Sequence, residues 1–224
     1  MGPTASGKTD VAIRLAHEFP IDLVSVDSAL VYRGMDIGTA KPNTQLLTRY
    51  PHALINIRDP EETYSAGDFV RHTVLNIRSS QERRRIPLLV GGTMMYFRSL
   101  INGISELPDA NSAIRVAIED EAAQVGWKSM HQQLAIIDPV AAARINENDS
   151  QRIQRALEVY RISGKPLTEW QERTEPQGCF SYSKYALLPE PRAVLHERIE
   201  ARLDMMMDAG FVEEVRQLRT RSNL

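Results

Sequence analysis

The segment that most constrains this chain lies near its first residue. Residues 2–9 read G-P-T-A-S-G-K-T and match G-x-x-x-x-G-K-[ST], the pattern of a phosphate-binding loop. Such a loop curls until backbone N–H groups and the N-terminus of the next helix surround an anion. A chance match in a glycine-containing turn is the alternative. We predict a phosphate site formed by Gly2, Pro3, Thr4, Ala5, Ser6, Gly7, Lys8 and Thr9.

The residues after the loop indicate the fold class. Apolar residues recur at helical spacing from Val11 to Phe19, and the apolar run Ile21–Val26 follows after a very short connection. A run that is apolar on both faces is typical of a strand buried in a parallel sheet. The order of loop, helix and strand therefore predicts an open α/β sheet.

Asp27 follows this strand at its carboxyl end, where open α/β sheets bind their ligands. Two interpretations of this carboxylate remain open. It can serve as a general base next to the phosphate site, or it can cap the N-terminus of a following helix.

A further strand is predicted at Ile86–Val90, after a short strand or loop edge at 53–57 and a helix from Ser65 to about residue 84. It ends in Gly91-Gly92-Thr93, and a helix follows at 94–100. Nucleotide hydrolases of this class usually carry an acidic residue at such a strand end to organise Mg²⁺. The glycines here permit either close approach to a ligand or tight packing.

Residues 108–183 show a different pattern from the preceding α/β segment, because helical patterns follow one another without predicted strands until residue 182. The predicted helices span 113–125, 129–137, 139–145, 150–163 and 166–173. This segment carries eight Lys and Arg against eleven Asp and Glu. Arg152 and Arg155 share one helix face, which is either a solvated surface or a contact with nucleic acid.

The remaining residues return to the α/β pattern. Residues 182–188 predict a strand, and 192–209 and 211–221 predict helices. Arg198 and Arg202 lie four residues apart, so they can either face a pyrophosphate or pair with neighbouring acids. We therefore predict a P-loop-type parallel sheet flanked by helices in 1–107 and 184–224, with an all-helical insertion domain at 108–183.

Composition limits the class of protein and the cellular compartment that this sequence fits. The chain has 224 residues, of which 42% are hydrophobic and 25% charged, with a net charge of −2. The single cysteine, Cys179, excludes an intrachain disulfide framework and favours a reducing cytoplasm. Neither a signal peptide nor an apolar run of ~20 residues is visible, so we expect no membrane association.

Taken together, these segments resemble the family of bacterial tRNA dimethylallyltransferases (tRNA isopentenyltransferases). Besides the phosphate loop, the matching segments are S-V-D-S-A-L-V-Y-R-G-M-D-I-G-T-A-K-P at 25–42, D-P-E-E-T-Y-S-A-G-D-F at 59–69, I-P-L-L-V-G-G-T-M-M-Y-F at 86–97, D-P-V-A-A-A-R-I at 138–145, Q-R-I-Q-R-A-L-E-V at 151–159 and H-E-R-I-E-A-R at 196–202. The phosphate loop alone is generic, whereas the 25–42 segment is highly specific.

The resemblance implies transfer of a dimethylallyl group from dimethylallyl diphosphate to N6 of an adenosine next to the anticodon, with Mg²⁺. The loop would hold pyrophosphate in place of ATP, and Thr9 would lie close to the reacting centre. Asp27 would take the N6 proton, and Arg202 would stabilise the leaving pyrophosphate. The helical insertion would grip the anticodon stem-loop of tRNA, and we expect a monomer. The residues that would contact tRNA are Asp27, Ser28, Ala29, Leu30, Thr93, Arg115, Gln151, Arg152, Ile153, Gln154 and Arg155.

The chain departs from the family at both ends. The family has a strand before the phosphate loop and continues past Leu224, so the resemblance implies a truncated chain that is not fully active alone. Two other functions remain as alternatives: a small-molecule kinase with the same loop, and a nucleotide-binding switch without transferase chemistry. A kinase would need a compact, Arg-rich lid, which the acidic insertion does not resemble.

Overall fold

The computed structural model describes residues 1–105, 107–172 and 180–221. The chain divides into two compact units, Met1–Ile101 with Gln177–Leu224, and Asn102–Pro176. The first boundary therefore falls at 101–102, a few residues before the predicted 107–108. None of the described helices combines the length and apolarity needed to cross a membrane.

The first unit contains a parallel sheet of three strands, β1 (Ile21–Val26), β2 (His52–Ala53) and β3 (Ile86–Gly91), in the order β2-β1-β3. The β1–β3 register runs from Ile21 opposite Ile86 to Val26 opposite Gly91. Val24 and Val26 of the central strand are at most 1% exposed. The predicted α/β class with a parallel sheet is confirmed.

Helices flank this sheet: α1 (Lys8–Glu18), α2 (Thr44–Arg49), α3 (Ala66–Glu82) and α4 (Met94–Asn102). Ser65 begins α3 through a capping box, because its hydroxyl accepts from the Asp68 N–H while Asp68 accepts from the Ser65 N–H. The predicted apolar face of α3 is buried in full, at Phe69, Val70, Thr73, Val74 and Ile77.

In its described part, 102–105 and 107–172, the second unit contains helices joined by loops and no strand. Its helices are α5 (Ser112–Val125), α6 (Trp127–Ile137), α7 (Pro139–Arg144), α8 (Ser150–Ser163) and α9 (Leu167–Glu172). The core includes Ile118, Met130, Leu134, Ile153 and Leu157. Asp138 caps α7 by accepting from the Ala141 N–H at 2.9 Å, and it also accepts from the Thr168 N–H at 2.9 Å.

Two segments, one predicted as a short strand or loop edge and one predicted as a strand, contain less strand than a regular β-element would. The predicted segment 53–57 shrinks to His52–Ala53, because Leu54 and Asn56 have φ of 67° and 56°, which breaks an extended backbone. Residues 182–188 form no strand. Among the described residues, Met1 bridges to them, donating to the Tyr185 carbonyl and accepting from the Leu187 N–H, both at 2.8 Å. A ladder needs consecutive pairs of this kind.

The first unit ends in two helices, α10 (Arg192–Asp208) and α11 (Phe211–Leu218). Both were predicted, with ends one to three residues longer. The predicted helix 166–173 corresponds to α9, and its last residue lies outside the described ranges, as does Cys179.

Candidate active site

The phosphate loop has the backbone shape that an anion site requires. Ala5 has φ of 60° and Gly7 has φ of 85°, so the chain turns twice through the left-handed region before α1 begins. Gly7 is the N-cap and has no side chain to occupy the first N–H groups of α1. These donors and the positive end of the helix dipole therefore remain available to an anion.

The Lys8 ammonium is hydrogen-bonded within the loop, and its pKa is affected by the charges of two other predicted site residues. Its Nζ donates to the Pro3 carbonyl at 2.5 Å and lies 3.4 Å from Ser6 Oγ. Burial lowers the Lys8 pKa; the Asp27 charge raises it and the Arg202 charge lowers it further. The charges of Asp27 and Arg202 therefore both act on Lys8, although the three residues come from distant parts of the sequence.

The two glycines at the end of β3 have separate roles. A Cβ at Gly91 would lie 1.9 Å from the Val26 carbonyl oxygen, so Gly91 is required by packing between the strands. A Cβ at Gly92 would lie 3.1 Å from the Gly2 carbonyl oxygen and 3.9 Å from Lys8 Nζ. Gly92 therefore lets the end of β3 approach the phosphate loop. Packing therefore accounts for both glycines, and close approach to a ligand at this strand end stays a prediction.

Asp27 stands at the end of β1 and is half-buried. Its Oδ1 accepts from the Ala29 N–H at 2.9 Å and from the Leu30 N–H at 3.3 Å. The interpretation as a helix cap is wrong, because no helix follows before α2. Asp27 instead caps a turn through one oxygen. Within the part of the chain that the structure describes, Oδ2 has no hydrogen-bond partner, which leaves a carboxylate oxygen free to accept a proton.

Thr93 joins the carboxyl ends of β1 and β3. Its N–H donates to the Val26 carbonyl at 3.3 Å, and its Oγ1 accepts from the Ser28 N–H at 3.1 Å. The turn after Asp27 is thereby fixed to the residue that follows the glycine pair. Ser28 itself is exposed. Two predicted contact residues, Ser28 and Thr93, therefore lie at one edge of the sheet.

Arg202 projects from α10 toward the loop that follows the Asp27 turn. Its Nη2 donates to the Thr39 carbonyl at 3.2 Å. A cavity of about 470 Å³ lies between this loop and α10, with Arg202, Met205 and Lys41 in its lining. Arg198 has no hydrogen bond or ion pair among the described residues.

Lys41 is a residue of this region that sequence reasoning missed. Its side chain is 2% exposed, and Nζ donates to the Tyr32 carbonyl at 2.6 Å and to Asp36 Oδ1 and Asn56 Oδ1, each at 2.7 Å. A buried ammonium with three acceptors fixes the loop between Tyr32 and Asn56. The available signal in the sequence was the position of a lysine within a loop rich in glycine and proline.

In the helical unit, Glu158 organises two predicted site arginines. Glu158 is fully buried. Arg115 Nε donates to its Oε1 at 2.9 Å, and Arg155 Nη1 donates to its Oε2 at 2.7 Å. Burial raises the pKa of Glu158, but the two arginines and the Asn111 N–H outweigh this effect and lower it. Both arginines therefore stabilise the buried Glu158 carboxylate, in addition to any contact with an external partner.

The other predicted residues of α8 divide by burial. Arg152 is 73% exposed and lies 3.4 Å from Asp149, and Gln151 is also exposed. Gln154 is bound to Glu119 at 2.8 Å. Ile153 is fully buried in the helical core, so its predicted contact with tRNA, which stays a prediction, would have to involve its backbone. The apolar spacing of α8 could have indicated this burial.

Comparison with known proteins identifies the family. A family model described as IPP transferase matches residues 30–224. The full-length tRNA isopentenylpyrophosphate transferase from Bacillus halodurans is 37% identical over 99% of this chain and 69% of that chain, with a TM-score of 0.64. The tRNA delta(2)-isopentenylpyrophosphate transferase from Staphylococcus epidermidis is 32% identical over 98% of this chain and 72% of that chain, with a TM-score of 0.59.

A third structure is more distant in sequence but similar in fold. It is a eukaryotic dimethylallyltransferase described as acting on tRNA, 27% identical over 98% of this chain and 54% of that chain, with a TM-score of 0.78. Since the family match extends over most of the sequence, and two bacterial relatives exceed 30% identity across nearly all of it, this chain belongs to the IPP transferase family.

Proposed function

We propose that this chain transfers a dimethylallyl group from dimethylallyl diphosphate to N6 of an adenosine beside the tRNA anticodon, and that pyrophosphate is released. Family membership supports prenyl transfer to tRNA. The observation that carries the proposed site is that the charges of Asp27 and Arg202 both act on the pKa of Lys8 in the phosphate loop. It links a candidate base to two candidate diphosphate ligands through their charges.

The phosphate loop binds the diphosphate in this proposal. Backbone N–H groups at the start of α1, the Lys8 ammonium and the Arg202 guanidinium donate hydrogen bonds to the diphosphate oxygens. The bond between the allylic carbon and the diphosphate oxygen breaks, and both electrons leave with pyrophosphate. Fixed positive groups stabilise that leaving group more effectively than water, because they need not reorganise during the reaction.

Asp27 acts as the general base. The N6 nitrogen forms its bond to the allylic carbon and loses a proton to Oδ2, the carboxylate oxygen without a described partner. Oδ1 stays bound to the Ala29 and Leu30 N–H groups, which holds the carboxylate in place. An exocyclic amine is a weak nucleophile, so alignment and a positioned base both contribute to the rate.

The chemistry of the donor set fits Mg²⁺. Thr9 is exposed in the first turn of α1 beside Lys8. The described residues contain no cluster of three His, Cys, Asp or Glu side chains that could hold a metal ion by itself. Mg²⁺ commonly binds through one or two protein oxygens, water and substrate phosphates, so such a cluster is not required. Thr9 would hold the ion with diphosphate oxygens, and the bound ion would supply neutralisation of diphosphate charge.

The tRNA contacts are proposed at both units. In the sheet unit, Asp27–Leu30 and Thr93 contact the target nucleotide. In the helical unit, the contacts are Arg115, Gln151, Arg152, Gln154 and Arg155. The adenosine must leave its stack to reach Asp27, which is least costly in a single-stranded loop.

Incubation with labelled dimethylallyl diphosphate and tRNA tests this proposal, in parallel with labelled ATP and small hydroxylated substrates. We expect label in the tRNA and release of pyrophosphate. Phosphorylated product without prenyl transfer would overturn the proposal in favour of a small-molecule kinase.

A further inference from the structure

One carboxylate of α11 binds three successive backbone N–H groups of the loop after Tyr32. Glu214 Oε2 accepts from the Asp36 N–H at 2.8 Å and the Ile37 N–H at 2.7 Å, and Oε1 accepts from the Gly38 N–H at 2.9 Å. Hydrogen bonds to an ionised acceptor are roughly twice as strong as neutral ones. This arrangement, which we term the Glu214 clasp, fixes the backbone of residues 36–38.

Close packing between Phe211 and Gly38 adds to the hydrogen bonds of the Glu214 clasp. A Cβ at Gly38 would lie 2.3 Å from Phe211 Cε2 and 2.8 Å from its Cδ2. The first residue of α11 therefore packs directly on the Gly38 backbone, and no larger residue fits at position 38 without displacing the ring. Helix α11 contacts this loop through both the Phe211 ring and the Glu214 carboxylate.

The loop connects the clasp to the proposed diphosphate ligand. Thr39 follows Gly38 directly, and its carbonyl accepts from Arg202 Nη2 at 3.2 Å. On the other side, Lys41 fixes Asp36 through its side chain at 2.7 Å. The carbonyl that orients Arg202 thus sits in a segment held by two opposite charges, Glu214 and Lys41.

We propose that Glu214 is a positioning residue for diphosphate binding: it fixes residues 36–39 so that the Thr39 carbonyl holds the Arg202 guanidinium in place. This inference rests on the proposed function, in which Arg202 binds the diphosphate. Because the side-chain hydrogen bonds of Glu214 to described residues all go to backbone N–H groups, its effect on the ligand passes through the loop.

A double-mutant cycle tests the coupling. Pyrophosphate dissociation constants are measured by calorimetry for the full chain and for Glu214→Gln, Arg202→Ala and the double variant. Glu214→Gln keeps one acceptor oxygen, so the fold is retained while the clasp is weakened. The control is Glu213→Gln, the preceding residue, whose carboxylate is exposed and pairs with Arg216 at 3.2 Å.

We expect Glu214→Gln to weaken pyrophosphate binding by roughly 3- to 10-fold, and Arg202→Ala by roughly 10-fold or more, the range for charge-assisted bonds. The double variant should match Arg202→Ala alone, while tRNA affinity and the control stay near wild type. Additive losses, or an unchanged pyrophosphate affinity in Glu214→Gln, would overturn the inference.

The outcome separates this inference from the proposed function. If the chain transfers no prenyl group and Arg202→Ala binds pyrophosphate normally, the proposed function fails and the inference falls with it. If transfer occurs and Arg202→Ala weakens binding but the cycle is additive, only the role of Glu214 fails. Gly38→Ala gives an independent perturbation of the same contact, and it too should weaken pyrophosphate binding only while Arg202 is present.

Discussion

Lys8 Nζ donates a hydrogen bond to the Pro3 carbonyl oxygen at 2.5 Å, so the cation of the phosphate loop is bound by the loop itself. Its ammonium is therefore already positioned at the N-terminus of α1. A diphosphate in the loop would meet this charge without a large side-chain rearrangement. Preorganisation of this kind reduces the entropy lost on binding.

Lys8→Gln should weaken pyrophosphate binding by about 10- to 100-fold, because one charge-assisted bond contributes about 1.5–3 kcal/mol. Calorimetry with pyrophosphate measures the effect. Arg14→Gln is the matched control, since it removes one positive charge from an exposed site about 9 Å further along α1. Equal losses in both variants would indicate a general charge effect and contradict a specific role for Lys8.

Gly91→Ala should destabilise the sheet unit by about 2 kcal/mol or more, because its Cβ would overlap the Val26 carbonyl oxygen and force β1 and β3 apart. Chemical unfolding followed by circular dichroism measures the change. Gly67→Ala is the control within α3, where a Cβ would meet its nearest atom at 3.5 Å. It should be neutral or slightly stabilising. Wild-type stability in Gly91→Ala would show that the strands can separate without cost.

Arg155→Ala should destabilise the helical unit by about 1–3 kcal/mol, because it leaves part of the buried Glu158 carboxylate without its partner. Arg152→Ala should change stability by less than about 0.5 kcal/mol, since its side chain is largely exposed. Both tryptophans, Trp127 and Trp170, lie in this unit, so their fluorescence reports its unfolding.

The same two variants separate RNA contact from structure. Arg152→Ala should weaken tRNA binding while the fold stays intact, whereas a loss of tRNA binding in Arg155→Ala would include its structural effect. Unchanged tRNA affinity in Arg152→Ala would indicate that Arg152 lies on an ordinary solvated surface and does not contact tRNA.

Acid should destabilise the helical unit through Glu158. Its pKa is lowered in the folded state, because Arg115, Arg155 and the Asn111 N–H favour the carboxylate more than burial disfavours it. The unfolded chain therefore binds more protons, so this contribution is full above the unfolded pKa of about 4.3 and is lost as pH falls through the folded pKa. Asp138 acts in the same direction, since its pKa is also lowered in the folded state.

Urea unfolding monitored by tryptophan fluorescence between about pH 6 and pH 3 measures this dependence. Glu158→Gln should lower stability at pH 6 and flatten the decline below about pH 4.5. An equally steep decline in Glu158→Gln would assign the acid sensitivity to other carboxylates.

Local patterns were sufficient for much of the site. The phosphate loop, β1 with Asp27 at its end, and the capping of α3 by Ser65 each depend on residues close together in the sequence. Such features follow from turn chemistry and hydrophobic periodicity, which a single sequence displays directly.

Features that depend on distant partners were not predictable in this way. The Glu214 clasp joins residues more than 170 positions apart, and Glu158 looks like an ordinary charged helix residue until its burial is known. Helix α2 was missed because it is short and lies in a glycine- and proline-rich segment. The expected strand at 182–188 had the right composition, but extended backbone becomes a strand only through consecutive pairs with a neighbour.

Asp27→Asn tests the central claim most directly. Asparagine keeps the Oδ1 acceptor for the Ala29 and Leu30 N–H groups, so the turn should persist while the proton-accepting carboxylate is removed. The measurement is the single-turnover rate of prenyl transfer with dimethylallyl diphosphate and tRNA both saturating. We predict a rate lower by roughly 10²- to 10⁴-fold, with near-normal affinity for tRNA and pyrophosphate. A wild-type rate in Asp27→Asn would contradict the assignment of Asp27 as the general base.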